Sequence, residues 1–280
     1  MNDILSEALS PKAYKSHIKP IWCPGCGDYA VLSAITKTLS FLRLAPEKTA
    51  IISGIGCSSR LPAYTDVYGF HGVHGRALPV ATGLKVARPD LTVLAVGGDG
   101  DGFSIGGNHF LHACRRNVDF VYIAMDNEVY GMTKGQASPT TPATWEHSKL
   151  TPHGTQIRPF QPCAIALAAG ATFIARGYSG DPGNLVKMLV EAIEHPGFAF
   201  VQVLSQCITF CPEQKQWKHQ VREFDLPEPC SDPVQAAMLL HGDDGLSTGV
   251  IYASPRPLWP PEQQVQQEGS LTSMTEGFVL

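Results

Sequence analysis

From about Tyr29 to Leu42, apolar positions recur at the three-and-four spacing of a helix. The next run, Thr49–Ile52, is short and closed by Ser53–Gly54, which predicts a strand. Residues 77–87 (ALPVATGLKVA) predict a buried helix that stops at Arg88–Pro89, because a residue before proline is pushed out of the helical region. Leu91–Val96 is continuously apolar and runs into GGDGDG. Such a run, bounded by glycine, predicts a strand buried on both faces. Residues 104–116 predict a helix ending in Arg115–Arg116, and Val118–Met125 a second buried strand. Residues 131–160 are rich in Thr, Pro, Gly and His and lack periodicity; a loop of that length inside a compact domain predicts a functional segment. Alternation returns with Cys163–Ala169, Ala171–Ala175, Leu185–Ile193 and Phe198–Leu204. Strand, helix and strand at this spacing predict an α/β fold, a mostly parallel sheet with helices on both faces. Beyond Phe210 the pattern fades, and the Pro- and Gln-rich stretch from about Ser254 predicts an extended C-terminal tail. The divisions are an N-terminal arm (1–20), a binding domain (21–230) and a C-terminal extension (231–280).

Composition narrows the class. The 280 residues are 44% hydrophobic, enough for one large domain with a proper core. A net charge of −4 argues against nucleic acid and against a polybasic membrane anchor. No apolar run approaches the roughly 18 residues of a membrane span. The N-terminus MNDILSEALSPKAYKSHIKP lacks the apolar centre of a secretory signal, so a cytoplasmic location is expected. In that compartment eight cysteines predict metal, cluster or thiol chemistry rather than disulfides.

The first candidate site is VLAVGGDGDGFSIGG followed by the strand ending in Asp126–Asn127–Glu128. A glycine-rich turn between strand and helix lets backbone N–H groups approach phosphate oxygens, with the helix N-terminus adding a favourable dipole. Asp99 offers a hard oxygen ligand for Mg²⁺, which prefers one or two carboxylates plus substrate phosphates. Asn127, at the end of the adjacent strand, and the carbonyl of Val129 complete such a clamp. A bare tight turn would explain the glycines alone, but not the Asn one crossover away. A dinucleotide site is disfavoured because GGDGDG lacks G-x-G-x-x-G and sets an aspartate against a bare pyrophosphate.

The second candidate is the cysteines. Cys23 and Cys26 form C-P-G-C, Cys57 lies in Gly-Ile-Gly-Cys-Ser-Ser, and Cys207 and Cys211 follow Phe198–Leu204. One C-x-x-C with remote partners suits a four-thiolate site for an iron–sulfur cluster, for zinc, or for neither. Cys114, Cys163 and Cys230 read as ordinary cysteines.

Together, WCPGCGDYAVL, SGIGCSSR, HGRALPVATGLKVARPDL, VGGDGDGFSIGGNHFLHACRRNVD, DNEVYGMTKGQASPTT and LSQCITF resemble the β subunits of 2-oxoacid:ferredoxin oxidoreductases, over about residues 20–212. The resemblance implies the thiamine-diphosphate-binding fold, with Asp99, Asn127 and the Val129 carbonyl on Mg²⁺. Gly98, Gly100, Asp101, Gly131 and Met132 would line the diphosphate, and Ile55, Gly56, Cys57, Ser58, His74 and Gly75 the ring end. Cys23, Cys26, Cys57 and Cys207 would hold one [4Fe–4S] cluster. Cys211 stands where the resemblance leads one to expect Asn, which leaves Cys207 and Cys211 as candidates for the fourth ligand, Cys207 being favoured. His74, Arg76 and Lys134 are candidate catalytic residues; the alternative for each is a satisfied loop residue or a solvated lysine.

The implied activity is CoA-dependent oxidative decarboxylation of a 2-oxoacid, with electrons passed to ferredoxin. 2-Oxoglutarate is favoured over pyruvate, and the reverse direction stays open. No glutamate in the matching segments can activate the aminopyrimidine ring. The resemblance implies that a separate α subunit supplies it, together with the 2-oxoacid and CoA contacts, in an (αβ)2 assembly on which the extension 231–280 packs. A non-redox thiamine-dependent decarboxylase half with structural zinc, and a non-catalytic zinc-stabilised module, are the competing classes.

Overall fold

A computed structural model describes residues 9–261, so residues 1–8 of the arm and 262–280 of the tail lie outside the described part. In chain order the elements are α1 (Asp28–Phe41), β1 (Thr49–Ser53), β2 (Tyr68–His71), α2 (Ala77–Ala87), β3 (Thr92–Gly98) and α3 (Gly107–Arg116). There follow β4 (Val121–Asp126), β5 (Val129–Tyr130), β6 (Gln136–Ala137), α4 (Pro162–Ala168), β7 (Phe173–Tyr178), α5 (Pro182–Glu194) and β8 (Ala199–Leu204). The last are α6 (Trp217–Gln220), β9 (Arg222–Glu223), α7 (Pro233–Gly242) and β10 (Ser247–Ala253).

Eight strands form one sheet in the order β2-β1-β3-β4-β8-β7-β10-β9, and all neighbours are parallel except β7 and β10. The central strands are buried along their whole length, which is why they read as unbroken apolar runs. Successive side chains feed opposite cores. Ile51, Leu94, Val96, Ile123 and Met125 pack under α1 and α5, with Val31, Ile35 and Leu189. Ala50, Ile52, Val93, Ala95 and Tyr122 pack under α2, α3, α4 and α7, with Phe103, Phe110 and Leu240. Helices therefore cover both faces, as the alternating pattern predicts.

Three differences from the sequence reading have physical causes. The helix expected from residue 104 begins as a wide turn at Gly100–Ile105 before α3, because the chain opens there to make the site. β2 was not predicted; it is an edge strand whose four residues are all exposed, so no apolar run marks it. Within the stretch expected as a C-terminal extension, α7 packs on α4 and β10 joins the main sheet antiparallel to β7, because their apolar residues complete that face. α3 ends on Asn117, which takes a left-handed φ of 57° and accepts the Phe198 N–H at 2.9 Å, locking that helix end to β8.

Candidate active site

Parallel strands leave a crevice at their carboxyl ends. Here β1, β3 and β4 end at Ser53, Gly98 and Asp126, side by side. A cavity of about 160 Å³ opens there, lined by Ile55–Ser58, His74, Gly98–Asp101, Asn127 and Val129–Thr133. The glycines of its turn answer to close packing. A Cβ on Gly100 would lie 2.3 Å from the Tyr130 ring, and one on Gly102 1.8 Å from the Tyr122 hydroxyl.

Asp99 is 2% exposed and lies at the head of this turn. The Asn127 N–H donates to its Oδ1 at 3.4 Å and the Thr140 hydroxyl faces its Oδ2 at 3.2 Å. The same hydroxyl lies 2.7 Å from Asp126 Oδ1, so one proton stands between two buried carboxylates. Asp126 Oδ2 accepts from Gln202 Nε2 at 2.8 Å, and Gln202 Oε1 accepts from Arg176 Nε at 3.0 Å. Arg176 in turn pairs with Asp243, both buried. Burial, then the Asp126 charge, push Asp99 up; burial pushes Asp126 up. The row thus sets three buried carboxylates against one buried guanidinium, with the deficit at the Asp99 end.

Asp99, Asn127 and Val129 all line the cavity at that end. Asn127 Oδ1 accepts from the Val129 N–H at 3.1 Å, made possible by a left-handed Glu128 (φ 59°). The donor set and the uncompensated charge fit a divalent cation. Glu128 itself is structural: it accepts from Gln214 Nε2 at 3.3 Å, and burial followed by Asp126 pushes its carboxyl up to about 8.

Asp101 turns the other way. Its Oδ1 accepts from the Ile55 N–H at 2.9 Å, the Gly75 N–H at 2.7 Å and His74 Nδ1 at 2.7 Å. It therefore ties two loops to the glycine turn. A Cβ on Gly54 would meet its Oδ2 at 2.0 Å, so glycine is required there. Since a carboxylate only accepts, His74 donates from Nδ1 and leaves Nε2 free on the cavity wall. Arg76 and Lys134 lie outside the lining. The Arg76 guanidinium contacts the Gly75 and Ile105 carbonyls, and Lys134 is exposed with φ 75°.

The cysteines come together on the adjoining wall. The Cys26 N–H donates to the Cys23 carbonyl at 3.1 Å, closing the C-P-G-C turn. A Cβ on Gly131 would lie 3.7 Å from Cys207 Sγ and 3.8 Å from Cys57 Sγ. Burial, then Asp28, raise the Cys26 thiol, and Cys207 and Cys57 add to it. Cys57 is pushed up to about 11 by burial, Asp28, Cys207 and Cys23 in that order. Cys207 also packs against the buried cluster of Val129, Trp145 and Cys211, and the Cys211 N–H donates to the Cys207 carbonyl at 2.8 Å. Among the described residues no three His, Cys, Asp or Glu side chains close around a single ion. Trp22 Nε1 donates to the Cys57 carbonyl at 2.7 Å, and Ser205 donates to buried Asp28 at 2.7 Å.

Residue-by-residue reading of the sequence missed Thr140, Gln202, Arg176, Trp22 and Asp28. A signal existed for two of them: Arg176 and Gln202 are polar breaks inside the apolar runs FIARGY and AFVQVL, and such a break predicts a buried hydrogen-bonded network.

The fold and cavity define a thiamine-dependent class: residues 54–203 match the family "Thiamine pyrophosphate enzyme, C-terminal TPP binding domain". The chain is 48% identical over 199 residues to the 2-oxoglutarate oxidoreductase subunit KorB of Mycobacterium tuberculosis, covering 71% of this chain and 53% of that one. It is 40% identical over 253 residues to the β subunit of 2-oxoacid:ferredoxin oxidoreductase 2 of Aeropyrum pernix, covering 85% and 82%. A solved structure superposes with TM-score 0.90 at 38% identity, covering 98% of this chain and 97% of its own: 2-oxoglutarate:ferredoxin oxidoreductase from Magnetococcus marinus with 2-oxoglutarate, coenzyme A and succinyl-CoA bound. The chain spans about half the length of the mycobacterial relative. It belongs to the β subunits of the 2-oxoacid:ferredoxin oxidoreductases.

Proposed function

We propose that this chain carries Mg²⁺–thiamine diphosphate and one [4Fe–4S] cluster and, with an α subunit, oxidises 2-oxoglutarate to succinyl-CoA and CO₂, reversibly, with ferredoxin as acceptor. One observation carries the reading: Cys57 and Gly131 belong both to the cofactor cavity and to the cysteine wall, so the two sites share a partition. A cofactor in the cavity and a group held by the cysteines would be separated only by these residues.

When bound, thiamine diphosphate supplies a nucleophile at its thiazolium ring for a 2-oxo carbon, and the cluster takes electrons singly. Asp99, Asn127 and the Val129 carbonyl hold the cation, while the turn 98–102 receives the diphosphate. Asp101 fixes His74 so that Nε2 faces the reacting end, where it donates to or accepts from substrate oxygen. Cys23, Cys26, Cys57 and Cys207 hold the cluster. The residues lining the cavity include no glutamate, which supports an α subunit as the source of the activating carboxylate. 2-Oxoglutarate is favoured by the names of the mycobacterial and Magnetococcus relatives. Among the described residues no helix is long and apolar enough to cross a membrane, in keeping with a cytoplasmic (αβ)2 enzyme.

The test is the anaerobically purified αβ complex. Broad absorbance near about 400 nm that bleaches on adding 2-oxoglutarate and coenzyme A, with slower or no bleaching by pyruvate, is the expected result. A colourless protein holding zinc overturns the redox reading, and pyruvate-preferring bleaching overturns the substrate.

A further inference from the structure

The whole chain carries a net charge of −4, yet residues 9–27 contain three lysines and a histidine and no aspartate or glutamate. This basic stretch leads directly into the C-P-G-C turn. Lys12, Lys15, His17 and Lys19 are exposed, and so is Cys23, unlike its half-buried partners Cys26, Cys57 and Cys207. Ile18, between His17 and Lys19, and Ile21, just beyond Lys19, are exposed apolar side chains (46% and 67%).

The stretch is pinned to the cysteine wall. Tyr14 is buried and donates to the Leu44 carbonyl at 2.6 Å. Lys15 bridges Thr65, and Ser16 bonds the Ala63 and Tyr64 carbonyls at 2.7 and 3.1 Å. The Ile21 N–H meets the Tyr64 hydroxyl at 3.3 Å. Residues 58–64, to which Ser16 and Ile21 are bonded, form the short helix that starts beside Cys57 and carries exposed Arg60. The arm, Arg60 and the outermost cysteine are therefore one surface. Among the described residues, ion pairs engage Lys48, Lys85, Arg88, Arg176 and Arg222 but none of Lys12, Lys15, Lys19 or Arg60. Two exposed carboxylates lie near this stretch: Asp66, whose N–H donates to the Tyr14 carbonyl at 2.9 Å, and Glu47, whose charge acts on the Tyr14 hydroxyl.

We propose that Lys12, Lys15, Lys19 and Arg60, together with the exposed Ile18 and Ile21, form the docking surface for a small acidic one-electron carrier protein, received edge-on at Cys23. This rests on the reading of Cys23 as a cluster ligand. Exposed charge beside a small apolar patch suits a transient redox encounter, where steering sets the on-rate and little area is buried. The exposed Cys23 lies on the same stretch of chain as these lysines.

The test uses the αβ complex with Lys12→Glu, Lys15→Glu and Lys19→Glu combined, assayed with 2-oxoglutarate against an acidic ferredoxin and against methyl viologen. The expected result is a fall in kcat/KM for ferredoxin of at least about tenfold, a flattened salt dependence, and an unchanged viologen rate and iron content. The corresponding triple Lys→Arg variant should behave like the parent. Unchanged ferredoxin kinetics overturn the proposal. So does a parallel loss of the viologen rate, or failure of the variant to co-purify with the α subunit, which would make the patch a subunit interface. If the parent complex reduces neither acceptor with any 2-oxoacid, the failure lies instead in the redox reading of the family site.

Discussion

The two ends of the site are built from opposite materials. At the cation end, Asp99 and Asp126 are buried to within 2% and joined through Thr140, Gln202 and Arg176, most of them on central strands. At the cysteine end every sulfur comes from a loop or a helix start, and the set grades from exposed Cys23 to half-buried Cys26, Cys57 and Cys207. The first is preorganised by the sheet, with its charge deficit stored in place; such buried networks are rigid when fully satisfied. The second is held by turns and a few side-chain bonds, such as Trp22 to Cys57. A hard ion needs a fixed cage of oxygens, whereas soft thiolates supply their own bond strength and tolerate loops.

If the two ends are separable, single substitutions should dissociate them completely, the largest effect expected. Asp99→Ala should weaken Mg²⁺ and thiamine diphosphate binding by at least about 100-fold, since loss of even a supporting partner costs about 10–100-fold. It should leave iron and sulfide content unchanged. Cys26→Ala should do the reverse, because Cys26 is not in the cavity lining. Calorimetry of cofactor binding and an iron assay on both variants decide it; loss of both groups in either variant breaks the comparison.

Next in size is the reach of the buried row. Arg176→Met strands Asp243 and unseats Gln202, and breaking a buried pair costs roughly 3–5 kcal/mol. In a protein of this size that corresponds to a fall in Tm of about 10 °C. Thr140→Val touches only the cation end. It should lower Mg²⁺ affinity by about 10–100-fold with little change in Tm, and Thr140→Ser should restore it. If Arg176→Met melts like the parent, the row is not the rigid element described above.

How far each end could be read in advance follows from the same contrast. β3, β4 and β8 were legible because strands buried on both faces leave continuous apolar runs. Asp99 and Asn127 were legible because their strands deliver them to one edge. The row behind them was not: a parallel sheet juxtaposes Arg176, Gln202 and Ala124 by register, and register is not written in any one segment. α7 escaped because Val234 and Met238, 64% and 71% exposed, scatter its apolar positions around the helix and erase the amphipathic signal. The cysteine set was named from C-P-G-C and the family resemblance. Spacing alone leaves cluster and zinc open and does not separate Cys207 from Cys211, which differ only in where a loop points them.

That last distinction supplies a smaller effect. Cys211→Ala should cost about 1–2 kcal/mol, as a small buried side chain lost beside Val129 and Trp145, with iron content unchanged. Cys207→Ala should lose the cluster. An iron assay in which Cys211→Ala is the depleted variant would move the cysteine end deeper into the fold than described here.

The smallest effect comes from a group that belongs to neither end and so calibrates both. His195, at the end of α5, is buried, with Nε2 2.9 Å from the Thr172 hydroxyl and its ring against Phe173. Burial lowers its pKa below the ordinary value of 6.5, with Asp119 opposing. The folded state therefore binds its proton less tightly than the unfolded chain. Stability from this group is complete above about 6.5 and is lost as pH falls from there through the depressed folded value. Urea midpoints of the apoprotein measured between about pH 7.5 and 5 should decline more steeply for the parent than for His195→Asn. Since His195 is not among the residues lining the cavity, the difference between the two curves should be the same with and without Mg²⁺–thiamine diphosphate. A cofactor-dependent difference would show that the rigidity assigned to the cation end extends across the sheet to α5, and that the two ends are less separate than their materials suggest.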